Sequence, residues 1–423
     1  MKIARLFYQN LMLAAKAHAQ WDYETSMSII NSKKRLALLG LLVLPIIIFS
    51  IAIAAGDSEL PAILGGKKAY SPAFYTPTIF GVSIVIGLCA GLITGCIGAG
   101  GGFIITPALM SAGIKGILAV GTDLFHIFAK AIMGTVIHKK LGNVSVGLAV
   151  AFLAGSGIGV TGGGVINRAL YEYNPVLSDT FISVVYVVLL GFLGFYALID
   201  FLRLRKADNG GDAHGGPVEH NDNSLASKLQ NLNLPPMITF DEDIMPGGKR
   251  ISGFFVGACG AVVGFAAAIM GVGGGFLTFP MFVYILGVSS FTTVGTDILQ
   301  IIFTAGYASI SQYAIYGFIF YTLAMGMLVG SLLGIQIGAL TTKVVKGIYI
   351  RGFYATAILS GFVNRVFALP SKLREMEILD ISPSLSALLA DIGNGMFFVV
   401  IGIFAVWVIG KFLANLSTFR EEV

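Results

Sequence analysis

Along the 423 residues, apolar runs follow one another with only short polar connections between them. About 20 apolar residues carry a helix across a bilayer. Runs of that kind predict spans at 36–55 and near 79–98, 117–137, 144–165, 181–203, 251–270, 291–313, 317–341, 347–367 and 394–415. Two further apolar pieces, 101–114 and 273–287, are short for independent spans, and each opens on a run of glycines. They read as the second halves of broken helices. Ahead of the first span, Lys2, Arg5, Lys16, Lys33, Lys34 and Arg35 accompany an apolar face through Ile3, Leu6, Phe7 and Leu11, so an interfacial helix is expected in 1–35. The first span lies far from the start and has no small-residue cleavage site, so it is expected to stay in the membrane rather than be removed as a signal peptide. The expected fold class is all-α, a polytopic membrane protein.

The glycine runs are one motif written twice. Gly98-Ala99-Gly100-Gly101-Gly102-Phe103-Ile104-Ile105-Thr106-Pro107 returns as Gly271-Val272-Gly273-Gly274-Gly275-Phe276-Leu277-Thr278-Phe279-Pro280, and Val120-Gly121-Thr122-Asp123-Leu124 returns as Val294-Gly295-Thr296-Asp297-Ile298 with the offset changed by one residue. The chain therefore divides into an N-terminal helix and span (1–78), a first repeat (79–203), a linker (204–250) and a second repeat with a C-terminal span (251–423). The linker carries Gly210-Gly211, Gly215-Gly216-Pro217, Pro235-Pro236 and Asp241-Glu242-Asp243 and is expected to be flexible and cytoplasmic. Its His214 and His220 are expected to be solvated rather than metal-bound.

Positive charge sets the orientation. With cytoplasmic termini and both short pieces crossing, His138-Lys139-Lys140, Arg203 to Lys206 and Lys343 to Lys346 all face inside, as the positive-inside rule requires. The two copies then enter from opposite sides, which makes them an inverted repeat. Glycine-interrupted segments at matching places in inverted repeats point to the binding site of a secondary transporter.

Composition narrows the class. Hydrophobic residues make up 56% and charged residues 12%, which excludes an ordinary soluble fold. The net charge of +5 belongs to span ends and implies no nucleic-acid partner. Cys89, Cys96 and Cys259 lie in apolar segments without a metal-ligand or disulfide spacing. Neither glycine run is followed by the Lys and Ser or Thr of a nucleotide phosphate loop, and no cofactor is expected.

A helix restarting after a glycine break presents uncapped N–H groups and the positive end of its dipole, which suits an anion. Gly100, Gly101, Gly102, Phe103, Gly273, Gly274, Gly275 and Phe276 are the binding candidates on this ground, with Thr106, Thr278, Lys130 and Gln300 beside them. The structural alternative is that the glycines only allow close helix crossing. On the helix that follows, Asp123, His126 and Lys130 share one face, with His138 further along, and the second copy places Asp297, Gln300, Thr304 and Gln312 at the matching positions. Ionisable groups inside spans mark ion pathways. Asp123, His126 and Asp297 are therefore the coupling candidates, His126 because an unperturbed imidazole titrates near neutrality. Against this stand an Asp123–Lys130 pair and the use of Thr122-Asp123 and Thr296-Asp297 as helix starts. Gly155, Gly159 and Gly163, matched by Gly330, Gly334 and Gly338, read as packing ladders. Arg351, early in a span, and Arg168, beside Asn167 in an expected loop, read as structural.

The paired G-x-G-G-G-F-x-x-x-P stretches, the paired Val-Gly-Thr and the turn His138-Lys139-Lys140-Leu141-Gly142-Asn143-Val144 resemble the sulfite exporter TauE/SafE family, also called the TSUP transporters, over 79–203 and 251–415. Family members commonly have a small hydroxylated residue after Gly-Thr, where this chain has Asp123 and Asp297. The resemblance implies a carrier of sulfur-containing anions such as sulfite or sulfoacetate, working by alternating access between inverted halves. The expectation is thus a non-enzymatic, multi-pass secondary transporter of the bacterial inner membrane, working as an exporter. Its partners would be a small sulfur-containing anion and membrane lipid, and a homo-oligomer is compatible with the sequence. A proton-coupled importer or an anion channel on the same scaffold is the nearer alternative. A membrane subunit of an oxidoreductase is the distant one, since it would want histidine pairs on facing helices.

Overall fold

The computed structural model describes residues 19–416 except 21, 30, 36, 38–40, 42–59, 70–76, 98–101, 138–144, 207–224, 242–246, 274–276, 279 and 280. All but residues 37 and 41 of the expected span at 36–55, most of 1–35, and the His138 to Val144 turn fall outside the described residues. The helices are α1 (Pro77–Ile97), α2 (Gly102–Ser111), α3 (Gly116–Ile137), α4 (Val146–Tyr173), α5 (Pro175–Lys206), α6 (Leu225–Gln230), α7 (Gly253–Met270), α8 (Ser290–Tyr307), α9 (Tyr321–Val344), α10 (Gly347–Glu375) and α11 (Pro383–Ala414). Among the described residues, seven of these are long and apolar enough to cross a membrane: α1, α4, α5, α7, α9, α10 and α11. The protein is an all-α, multi-pass membrane protein. α8 continues into wider π-type turns at Ala308–Ala314.

Several helices outrun the apolar windows that announce them. α10 continues through Pro370, Lys372 and Arg374 to Glu375, and α11 begins at Pro383, where the Ser382 hydroxyl caps the N–H of Leu385 at 3.3 Å. Polar residues at a helix end lower hydropathy without breaking the backbone ladder, so the windows stop short. Part of the linker takes up regular structure. α6 and a hairpin of β1 (Met237–Phe240) with β2 (Lys249–Ser252) lie at the foot of α7, paired from Met237 with Ser252 to Phe240 with Lys249. Asp241 accepts from the N–H and hydroxyl of Ser289 and from the Thr292 hydroxyl, which ties the linker to the start of α8. Near the N-terminus, residues 19, 20 and 22–29 are helical, with Ser26 and Ile29 buried, and the Lys343 Nζ lies 4.4 Å from the Tyr23 ring centroid.

The two copies are packed into one another. The first helix of each lies along the fourth helix of the other, α1 on α9 and α7 on α4. Gly87, Gly91 and Gly95 of α1 face the backbone of Met327, Ser331 and Ile335, while Gly330, Gly334 and Gly338 of α9 face Ile84, Leu88 and Leu92. Gly155, Gly159 and Gly163 of α4 face Gly257, Ala261 and Phe265 of α7 in the same way. In both pairs the numbers rise together, so the helices run parallel. A Cβ at Gly91 would stand 2.5 Å from the Ser331 carbonyl oxygen, so these glycines are required by backbone-to-backbone contact. Outside this pairing, α5 and α10 run antiparallel, held by Arg351 on Asp200 at 2.9 Å and Lys372 on Asp179 at 3.1 Å at their two ends.

Candidate functional site at the glycine break of the second copy

α7 stops at Gly271, whose φ of +80° an L side chain rarely adopts, and Gly273 follows at +69°. Space forbids side chains there as well. A Cβ on Gly271 would lie 2.8 Å from the Thr106 Oγ1 and 3.1 Å from the Val120 Cα, one on Gly273 would lie 2.7 Å from the Ile127 Cγ2, and one on Gly102 would lie 3.0 Å from the Val272 Cα. The break of the second copy is therefore seated on the start of α2 and the middle of α3. Leu277 and Thr278 are helical, and a wide π-type turn covers Met281–Leu286. Gly100, Gly101, Gly274, Gly275 and Phe276 lie outside the described residues.

Carbonyls freed by the break find hydroxyl donors. Tyr313, in the turns after α8, donates to the Ala268 oxygen, and Tyr186 of α5 donates to the Met270 oxygen. An unpaired carbonyl in this interior would cost several kcal/mol, roughly, so the two tyrosines hold the broken end of α7 in place.

In the first copy, the Thr106 hydroxyl of α2 donates to the Asp123 Oδ2 at 3.0 Å. Three residues on, the His126 Nε2 meets the Ser331 Oγ of α9 at 2.9 Å, and the His126 Nδ1 stands 3.7 Å from the Asp123 Oδ1. Asp123 and His126 are buried, and these last two atoms have no hydrogen-bond partner. Asp123 thus takes Thr106 rather than Lys130 as its partner. Lys130 is half-buried, within electrostatic reach of Asp123 and of Asp22 in the N-terminal helix.

In the second copy, the Gln300 Nε2 donates to the Asp297 Oδ1 at 2.6 Å and to the Thr278 Oγ1 at 2.9 Å. Thr304 donates to the Gln300 Oε1 at 3.0 Å and meets the Ser156 Oγ of α4 at 2.9 Å. Each stripe therefore ends on a serine of the other copy's fourth helix, Ser331 or Ser156.

The paired Gly-Thr-Asp acquires a role position by position. Gly121 lets α3 approach the Phe318 carbonyl. The Thr122 hydroxyl accepts from the Phe320 N–H at 3.0 Å, at the start of α9, and the Thr296 hydroxyl accepts from the Ser145 N–H at 3.2 Å, at the start of α4. These threonines do not start their own helices, as the sequence alternative had it. α3 begins at Gly116, and Ser289 caps α8 by accepting from the Thr292 N–H. They fasten each copy to the other.

Of the remaining candidates, Phe103 packs edge-on against Tyr354 of α10 with centroids 6.1 Å apart, a core contact. Arg168 is not in a loop but inside α4, where it is buried, donates to the main-chain oxygen and Oε1 of Gln312 at 2.8 and 2.7 Å, and lies over the Tyr316 ring.

Residues 83–364, well over half of the chain, match the family model described as Sulfite exporter TauE/SafE. The chain belongs to this family. Among its relatives, the probable membrane transporter protein YjnA of Bacillus subtilis is 26% identical over 60% of this chain and 87% of that protein. The probable membrane transporter protein YunE of the same organism is 24% identical over 62% and 87%, and MJ0441 of Methanocaldococcus jannaschii, also called a probable membrane transporter, is 22% identical over 47% and 59%. No solved structure matches the chain. The protein is a multi-pass TauE/SafE membrane transporter.

Sequence reasoning missed Tyr186, Tyr313, Ser156 and Ser331. The serines had a signal, since each follows directly on a ladder glycine, Gly155 or Gly330, at matching positions of the two copies. The tyrosines had none, because their partners are backbone carbonyls of a distant helix.

Proposed function

We propose that this TauE/SafE protein carries a small sulfur oxyanion or organosulfonate, such as sulfite or sulfoacetate, by alternating access between two inverted copies. The observation that supports the reading is the seating of Val272 against Gly102, which brings the break of the second copy against the start of α2. In this reading α2 and the helical segment at Leu277 offer their first-turn N–H groups to the solute, a partial positive potential that holds an anion without a permanent charge. Thr106, Thr278, Gln300 and Lys130 border it, and the protein does no chemistry on the solute. Both termini and the basic span ends face the cytoplasm of an inner membrane. An inside-negative potential, worth about 2.3 kcal/mol per charge per 100 mV, expels anions, so export needs no coupled ion and uptake does.

Purified protein in proteoliposomes tests this, with labelled sulfite, thiosulfate, sulfoacetate, methanesulfonate, sulfate and chloride as competing solutes. Saturable flux and counterflow confined to the sulfur anions are expected. Flux that rises linearly without counterflow would replace the carrier with a channel, and flux of chloride alone would remove the substrate class.

A further inference from the structure

We propose that the Tyr354 hydroxyl of α10 is a donor of the solute site, giving its hydrogen to an oxygen of the bound oxyanion at the start of α2. This role deepens the carrier reading above and rests on it for the identity of the anion.

Among the described residues, four tyrosines are almost wholly buried: Tyr186, Tyr313, Tyr321 and Tyr354. Three of their hydroxyls end on a main-chain carbonyl, Tyr186 on Met270, Tyr313 on Ala268 and Tyr321 on Leu64 at 2.9 Å. The Tyr354 hydroxyl, on a side chain 1% exposed, has no hydrogen-bond partner among the described residues. No acceptor lies within reach of its oxygen, so no rotation of the hydroxyl supplies one. A hydroxyl left unpaired in a dry interior forfeits its hydration, and a phenylalanine would fill the same space without that cost. A partner that does not belong to the chain accounts for it.

Its place in the fold says what that partner is. Edge-on contact with Phe103 puts the Tyr354 ring against the second residue of α2, and Gly102, one residue earlier, meets Val272 of the second copy's break. Tyr354 thus stands beside the helix start that the carrier reading gives to the anion. Arg365 lies eleven residues, or three turns, further along α10 and so shares its face. Its Nη2 donates to the Pro107 oxygen at 3.3 Å and to the Ser111 Oγ at 2.6 Å, so this face is turned toward α2 at both ends. At the closing end of α2 the donors from α10 are bonded to α2 itself; at its opening end the donor from α10 is unused. The other buried hydroxyl or guanidinium groups with an atom lacking a partner lie elsewhere, Thr25 in the N-terminal helix and Arg374 in the last turn of α10.

A neutral hydroxyl suits this position. An oxyanion has several acceptor oxygens and can take the hydroxyl together with the first-turn N–H groups of α2. The hydroxyl strengthens the hold without adding a permanent charge, so the anion can still leave, as transport requires.

Tyr354→Phe removes one oxygen and keeps the ring. Without ligand, its thermal midpoint is expected to equal or exceed that of the unaltered protein, because no bond is lost and an unpaired hydroxyl is gone. In proteoliposomes, the methanesulfonate concentration that half-saturates exchange is expected to rise about tenfold or more, the effect of losing a hydrogen bond to a charged group, with a smaller change in maximal rate. Tyr321→Phe, whose hydroxyl has a carbonyl partner, is expected to do the reverse: a lower midpoint and an unchanged half-saturating concentration. A lower ligand-free midpoint in Tyr354→Phe would reveal a partner within the chain and overturn the proposal. An unchanged half-saturating concentration, or a rise of the same size in Tyr321→Phe, would overturn it too. If the unaltered protein exchanges neither methanesulfonate nor thiosulfate, the carrier reading fails by itself, and thermal stabilisation of the purified protein by sulfite, thiosulfate or methanesulfonate decides the hydroxyl's role. Stabilisation that is lost in Tyr354→Phe upholds the site; no stabilisation, or one that persists equally in the variant, overturns it.

Discussion

At the residue scale, the site is an economy of hydroxyl donors around two buried carboxylates. Thr106 is the donor to Asp123, whereas Asp297 has the Gln300 amide. Thr106→Val keeps the shape and removes the donor. It is expected to cost about 1–3 kcal/mol of stability, read as a lower thermal midpoint, and to depress exchange. Thr278→Val removes an acceptor whose partner still has Asp297, so a smaller loss is expected from the same two measurements. The stripe itself was legible in the sequence, because helical spacing puts Asp123 and His126 on one face whatever surrounds them. What completes it was not legible. The hydroxyl that orients His126 comes from Ser331 on another repeat, and no local spacing announces a bond across the fold.

At the element scale, glycines with similar neighbours in sequence have different duties. Gly159 stands against the carbonyl of Ala261 and the N–H of Phe265, while Gly157, two residues earlier on the same helix, has nothing within 4 Å of its missing Cβ. Gly159→Ala is expected to force α4 and α7 apart at a cost of about 1–3 kcal/mol, seen as lower yield and thermal midpoint. Gly157→Ala is expected to be neutral or slightly stabilising, since it adds helix propensity and meets no atom. The spacing of four identified the ladder in the sequence, but the partner helix came only with the fold. The breaks were equally legible as breaks. That the broken end of α7 is held by Tyr186 and Tyr313 was not, because an orphan carbonyl has no sequence signature.

At the scale of the molecule, each repeat is unfinished by itself. The glycine faces of α1 and α7 are covered by the fourth helix of the opposite copy, and Thr122 and Thr296 bond across the same division. A chain cut between Lys206 and Leu225 is expected to yield halves that copurify when made together and that aggregate or are degraded when made alone. Copurification on a tag carried by one half is the measurement, and two independently stable halves would contradict the reciprocal packing. The sequence by itself determined the membrane class, the duplication, the places where helices break and the polar face of α3 and α8, because each is set by local periodicity, by glycine's backbone freedom or by direct repetition. Only the tertiary structure decided which copy covers which, that the second copy's break seats against the start of α2, and that Asp123 and His126 stand 3.7 Å apart. Those facts depend on the distance between groups far apart in the chain, and a linear pattern carries no distance.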